Sequence, residues 1–335
     1  MKRKYFIALL FILAGIYSYS IRPEDTFSRN DMAMNTLIRM SIKAHDDSSL
    51  DDAFKLLHTL DASLSMYNPS SDISRINSNA GIQDVDVNDY VIDVIRHAVA
   101  LYSLTDGTFN PMIGAVTRLW KINRNDGIIP SKESIDEAIK LTDIHNLVLN
   151  DNNVFLKLKG SVIDLGGIAK GYAGDMIAQV FRDKGVKSAL IDLGGNICVV
   201  GNNHEGELWK IGIRDPFEPM TAPALVVSVH DCSVITSGNY ERFKVVDGKT
   251  YSHFFDTKTG ESIMNDLLSV TIIDSDGALA DGLATAFMTM GFNKAHDMSK
   301  RLSIKSILIR NDKTIHASES LRDIVSDNKF QIEFF

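Results

Sequence analysis

The sequence predicts an α+β fold, with mixed, largely antiparallel sheets and helices packed on them. Three observations predict it. Short apolar runs bounded by turn residues recur through 188–273 in hairpin-like succession. Helical periodicity appears in separate blocks, near 50–64, 89–103, 170–184 and 278–290. The two kinds of segment do not alternate regularly, which argues against a doubly wound parallel sheet. With 335 residues, 44% of them apolar, the chain can bury a substantial core in one large domain or two ordinary ones.

Residues 1–20 read as a signal peptide or an N-terminal membrane anchor. Lys2-Arg3-Lys4 is the charged start, residues 5–17 are a nearly unbroken apolar run, and Ser18-Tyr-Ser20 offers small residues for cleavage after Ser20. The run is short for a spanning helix, which needs roughly 17–25 residues. It contains no cysteine, so lipid attachment there is not expected. Export follows, to the periplasm in a Gram-negative cell, with or without a tether to the inner membrane. Residues 21–31 are polar and read as a linker, which leaves 32–335 as the folded domain.

Within that domain, 32–42 ends in strand-like alternation. Helix 50–64 turns Ala53, Leu56, Leu57, Leu60 and Leu64 to one side, and 65–72 is a turn-rich loop. Helix 89–103 points Val91, Val94, Ile95, Ala98 and Leu101 inward. A break at Thr105-Asp-Gly-Thr-Phe-Asn-Pro111 precedes helices at 112–122 and from Ser131. Strands are expected at 146–149, 154–158 and 161–164, then a helix at 170–184. Further strands follow at 188–192, 197–200, 208–213, 224–230, 233–236, 242–246, 250–255 and 268–273. A helix at 278–290, a helix at 293–300 and a strand at 304–310 close the pattern.

Net charge is −8 and the Lys and Arg residues are scattered, so nucleic acid is not an expected partner. Cys198 and Cys232 form no Cys-x-x-Cys motif. They read as buried free thiols or as one disulfide. The histidines show no metal-ligand spacing.

Chemistry concentrates in a few strings. Asp164-Leu-Gly-Gly-Ile-Ala-Lys-Gly-Tyr-Ala173 reads as a strand end, a glycine turn and a helix start. That arrangement aims backbone N–H groups and Lys170 at an anion such as a phosphate. Neither the Walker nor the Rossmann glycine pattern is present. Asp281 and Thr285 stand four residues apart, on one face of a helix, and their oxygens suit Mg²⁺ beside a phosphate chain. Asp192-Leu-Gly-Gly-Asn196 either lines the same cleft or makes a tight hairpin turn with Asn196 left-handed. Ser237-Gly-Asn-Tyr-Glu-Arg-Phe243 could grip a planar ligand or a peptide, or close a hairpin. His253 precedes a polar turn, where an imidazole of ordinary pKa near 6.5 suits a general base.

In order along 32–310, these strings resemble the ApbE family of FAD:protein FMN transferases. The resemblance rests on Met34-Asn-Thr36, Leu64-Ser-Met-Tyr67, Asp106-Gly-Thr-Phe109 with Pro111, and Asp164 through Ala173. It continues in Asp192-Leu-Gly-Gly-Asn196, Ser237-Gly-Asn-Tyr240, His253 with Asp256 and Thr259-Gly260, and Ala280 through Ala286. It implies an ApbE-like, T-fold-related domain. The implied activity is Mg²⁺-dependent transfer of FMN from FAD to a Thr or Ser hydroxyl of an acceptor protein, with release of AMP; the alternatives are an FAD pyrophosphatase that releases FMN and AMP, or a non-catalytic periplasmic flavin-binding protein. The acceptor implied is a membrane or periplasmic redox subunit. The resemblance also implies roles by position. Asp281, Thr285 and the Gly167 carbonyl would be metal ligands. Met34, Tyr67, Gly107, Thr108, Phe109, Asp164, Lys170 and Phe254 would bind FAD, and His253 would be the base. The sequence departs from the family at Asn35, where glycine is usual, at Thr257 for proline, and at Gly282 for alanine.

Overall fold

The computed structural model describes residues 24–122, 124, 126–326 and 330–335. The signal or anchor reading of residues 1–20 lies outside them. Among the described residues no helix is long and apolar enough to cross a membrane.

Strands β1 (Asp25–Ala33) and β2 (Thr36–Ala44) form a hairpin. Its two turn residues, Met34 and Asn35, have positive φ of 49° and 59°. This is the turn geometry that matches strand twist, and asparagine adopts it more readily than most side chains. Asn35 therefore keeps a turn that glycine would also make. The linker expected at 21–31 is corrected here, because 25–31 belong to β1. That strand is a sheet edge with mostly exposed polar side chains, so it lacks the apolar alternation that marks a strand in sequence.

Helices α1 (Ser48–Leu64), α2 (Asp72–Ser78) and α3 (Asp89–Leu104) follow, with β3 (Val85–Asp86) between the last two. Ser71 caps α2 by accepting the Ser74 N–H at 2.9 Å. Then come α4 (Gly114–Trp120), α5 (Lys132–Ile139), β4 (Leu147–Asn150) and β5 (Asn153–Leu156). The strand expected at 161–164 is not formed. Val162 makes one isolated parallel bridge to Ile113. The segment is apolar because it is buried, not because it is paired.

Helix α6 (Ala169–Asp183) leads into β6 (Ser188–Leu193), β7 (Ile197–Val200), β8 (Trp209–Ile213), β9 (Leu225–Val229) and β10 (Cys232–Gly238). A small hairpin, β11 (Phe243–Val246) and β12 (Lys249–Ser252), precedes β13 (Leu267–Asp274). The chain continues through α7 (Gly277–Met290), α8 (Phe292–Leu302), β14 (Ser306–Arg310), β15 (Ile315–Ala317), β16 (Val325–Ser326) and β17 (Ile332–Phe334).

The nine-stranded main sheet has the order β1-β2-β6-β7-β10-β13-β14-β15-β17. Its pairs are antiparallel except β15 with β17. This is the expected α+β class. Helices cover one face, and the small sheet β16-β9-β8 covers the other. Alternation along β14 shows both layers: Leu308 enters the helix-side core, while Ile307 and Ile309 enter the other. The same alternation decides the cysteines. Cys232 lies opposite Val199 and Cys198 opposite Ser233, so the thiols point to opposite faces of the sheet and remain free.

Candidate active site

Helices α6 and α7 cross at two glycines. A Cβ on Gly171 would lie 2.0 Å from the Gly277 carbonyl oxygen, and a Cβ on Gly277 would lie 2.8 Å from that of Gly171. Only glycine admits backbones this close. The approach lets each helix cap the other. Asp281 on α7 accepts the Gly171 N–H at 2.9 Å. Asp175 on α6 accepts the Gly277 and Ala278 N–H groups, each at 2.9 Å. Each carboxylate thus sits at the positive end of its partner's dipole. Burial nonetheless pushes the Asp175 carboxyl up to about 6, while its two N–H donors pull the other way.

A third element fixes Asp281. Its other oxygen accepts from the Asn196 side-chain amide at 3.1 Å. Asn196 follows the tight β6–β7 turn, where Gly194 and Gly195, rather than Asn196, take positive φ of 68° and 97°. The second Asp-Leu-Gly-Gly string is therefore a hairpin turn that supports the site from behind.

The first such string makes the turn into α6. Asp164 accepts the Gly166 N–H at 2.9 Å. A Cβ on Gly167 would come within 3.0 Å of Thr285 Oγ1 and 3.2 Å of the Phe109 ring. Thr285 Oγ1 donates to the Gly167 carbonyl at 3.3 Å. Two oxygens that share one small divalent ion at 2.0–2.1 Å stand roughly 3 Å apart, so this spacing fits a common ligand pair. Among the described residues no three His, Cys, Asp or Glu side chains group as a metal site. A cation here would rely on one carboxylate, a hydroxyl and a carbonyl, an all-oxygen set that suits Mg²⁺.

These groups open onto a cavity of about 600 Å³. Of the residues expected to bind flavin or metal or to act as the base, all border it except Gly107. Gly107 instead turns the chain after α3 at φ 75°, packed against the Tyr102 ring. That turn lets Thr105 Oγ1 accept the Phe109 N–H at 3.0 Å and presents Thr108 and Phe109 to the cavity. Tyr67 stands at the rim, 62% exposed.

His253 lies in the same wall, half-buried, its ring 4.1 Å from that of Phe254. Its Nδ1 is 3.0 Å from the Arg242 carbonyl. A carbonyl only accepts, so Nδ1 carries the proton and Nε2 keeps its lone pair. Burial first, then the charges of Arg242 and Lys170, push the imidazole down to about 4, although the Arg242 carbonyl favours the charged form. The ordinary pKa near 6.5 expected from sequence is corrected accordingly. The ring is neutral at pH 7, and a weaker base than a free imidazole.

The Ser237–Phe243 string contributes Ser237, Gly238, Glu241 and Arg242 to the cavity wall. Sequence reasoning missed Arg118, Lys121 and Arg124, which also border it. Their spacing of three residues at the end of α4 was the available signal. None of the three is ion-paired among the described residues, although Arg118 donates to the Met66 carbonyl at 3.3 Å.

The model of the ApbE family matches residues 34–308. The chain belongs to the ApbE family. The FAD:protein FMN transferase of Treponema pallidum is 33% identical, over 97% of this chain and 96% of that protein. That of Klebsiella pneumoniae is 30% identical, over 91% and 96%. Among solved structures, the flavin transferase ApbE from Vibrio cholerae superposes with a TM-score of 0.82 at 26% identity, covering 90% of this chain and all of that one. The ApbE protein of Thermotoga maritima gives 0.83 at 28% identity, with the same coverage.

Proposed function

We propose that this chain transfers the FMN part of FAD to a Thr or Ser hydroxyl of an acceptor protein and releases AMP. The observation that carries this is one cavity bordered by both Asp281 with Thr285 and a histidine whose Nε2 is free to accept a proton. In the step, the acceptor oxygen bonds to the phosphorus of the FMN phosphate. The bond from that phosphorus to the oxygen of the AMP phosphate breaks, and AMP leaves with the bonding electrons. The hydroxyl proton passes to His253 Nε2. Phosphoryl transfer depends mainly on positioning and charge neutralisation.

The protein's own residues divide this work. The α6 N-terminus and Lys170 attract the pyrophosphate. Phe109 and Phe254 offer apolar surface to the flavin and adenine rings, with Met34 and Tyr67 beside them at the cavity wall. Asp281, Thr285 and the Gly167 carbonyl would hold Mg²⁺, which when bound neutralises pyrophosphate charge. The Lys2-Arg3-Lys4 start and the apolar run at 5–17 support export to the periplasm, with a membrane or periplasmic redox subunit as the acceptor.

Incubation with FAD and Mg²⁺, with and without the membrane fraction of the source organism, tests the reading. Protein-bound flavin is the expected product. Free FMN alone would indicate hydrolysis, and unchanged FAD would indicate binding only. For the location, residues 1–30 fused to a reporter that works only after export should give an active reporter.

A further inference from the structure

The β11–β12 hairpin reverses the usual inside–outside pattern. Lys244 is buried, while Phe243 and Val245 on either side of it are 50% and 48% exposed. The buried lysine has a clear reason. Its Nζ donates to the Trp120 carbonyl at 3.2 Å, the Ile128 carbonyl at 3.1 Å and the Asp126 carboxylate at 2.8 Å. Tyr251, paired with Lys244 across the hairpin, packs on the Trp120 ring at 5.5 Å. One face of the hairpin is thus fastened to the end of α4. The alternation of a strand then puts Phe243 and Val245 together on the other face. The hairpin is a sheet of its own, joined to no further strand among the described residues.

Its position gives that exposed face a use. The register Phe243 with Ser252 continues to Arg242 with His253, the pair in which the Arg242 carbonyl fixes the imidazole. The hairpin therefore rises directly from the proposed base. Arg118, Lys121, Arg124 and Arg242 border the adjoining cavity, where Arg242 stands beside Glu241, whose carboxyl feels its charge. Apolar side chains beside these cations suit an extended segment with apolar and acidic side chains.

We infer that the outer face of the β11–β12 hairpin, centred on Phe243 and Val245, is the docking surface for the acceptor protein. The inference rests on the transfer reading above, and it names where the second substrate binds. The acceptor segment lies extended along this face, with acidic side chains toward the four cations. Val245 is three residues from Arg242, roughly 10 Å along a strand. A segment of about three or four residues therefore reaches from the apolar face to the hydroxyl at His253.

The test compares wild type with the double variant Phe243→Asp, Val245→Asp. The probe is the membrane fraction of the source organism, titrated at saturating FAD and Mg²⁺ and read as in-gel covalent flavin fluorescence. The amount of membrane fraction needed for half-maximal rate should rise at least about tenfold, the loss typical of a buried interface anchor. The plateau rate, the FAD affinity from flavin fluorescence and the melting temperature should stay near wild type. If the double variant melts early, Phe243→Ser alone should still raise the half-maximal amount at wild-type melting temperature. Superimposable titrations would overturn the docking surface. So would a parallel loss of FAD affinity, or a wild-type dimer in light scattering that the aspartates dissolve. A wild-type protein that binds FAD but labels no band overturns the transfer reading itself, and this inference with it.

Discussion

The two ends of the cavity are built in opposite ways. At the end proposed for the pyrophosphate, α6 and α7 are locked through Gly171 and Gly277, and each helix is capped by a carboxylate from the other. Asp281 is 3% exposed, and a third element, Asn196, holds it as well. At the end proposed for the acceptor, His253 is held by one hydrogen bond to a backbone carbonyl at the base of a two-stranded hairpin. The difference follows the substrates. FAD is a fixed small molecule, and its charged linkage rewards groups that do not move. The acceptor is a protein segment that must enter and leave, which a surface hairpin permits.

Gly171→Ala should break the rigid end most severely. The added Cβ meets backbone at 2.0 Å, so the helices must part. Overpacking of this kind costs about 1–3 kcal/mol or more, and with the separated helices transfer should be lost altogether. A lowered melting temperature with no covalent flavin product is the expected outcome. Unchanged values of both would show that the glycine crossing is dispensable.

Asp281→Asn disturbs the same end with less damage. Replacement by Ala would leave two buried donors unpaired, at about 1–3 kcal/mol each, so Asn is the cleaner change. Transfer should fall about 10³-fold, corresponding to several kcal/mol of lost charge stabilisation. The Mg²⁺ concentration needed for half-maximal rate should rise with it, while the fold survives in circular dichroism. Wild-type Mg²⁺ dependence in this variant would remove Asp281 from the proposed metal site.

The pH profile probes the looser end and carries the smallest effect near neutrality. His253 accepts a proton only when neutral, and its pKa is pushed down to about 4. Transfer should therefore vary little from this group between pH 7 and 5, and should decline as pH falls through about 4. A loss of rate centred near 6.5 would mean that the ring is not buried when it works.

Much of the candidate site's lining is readable from residue strings, and the reasons for the remainder are physical. Asp164, Gly167, Lys170, Asp281 and Thr285 advertise themselves because a glycine turn and an i, i+4 pair are local in sequence. Asn196 does not, because its use depends on a hairpin turn meeting a helix 85 residues later. The His253 tautomer was equally hidden, since its partner is the backbone of Arg242, which any residue type would supply. In the fold, the apolar stretches at 197–200 and 268–273 became strands as expected. Polar β1 was missed, since an edge strand shows no apolar face, and 161–164 was overread, since a buried coil is as apolar as a strand.

His253 is proposed to accept the proton of an acceptor hydroxyl in a cavity that binds FAD independently of it. The most direct test is His253→Ala with FAD, Mg²⁺ and the acceptor-containing membrane fraction. Flavin fluorescence would report FAD affinity, and a gel would report protein-bound flavin. FAD affinity should stay near wild type, and transfer should fall at least about 10²-fold, the lower end for a missing general base. Wild-type transfer by the variant, or loss of FAD binding together with transfer, would contradict it.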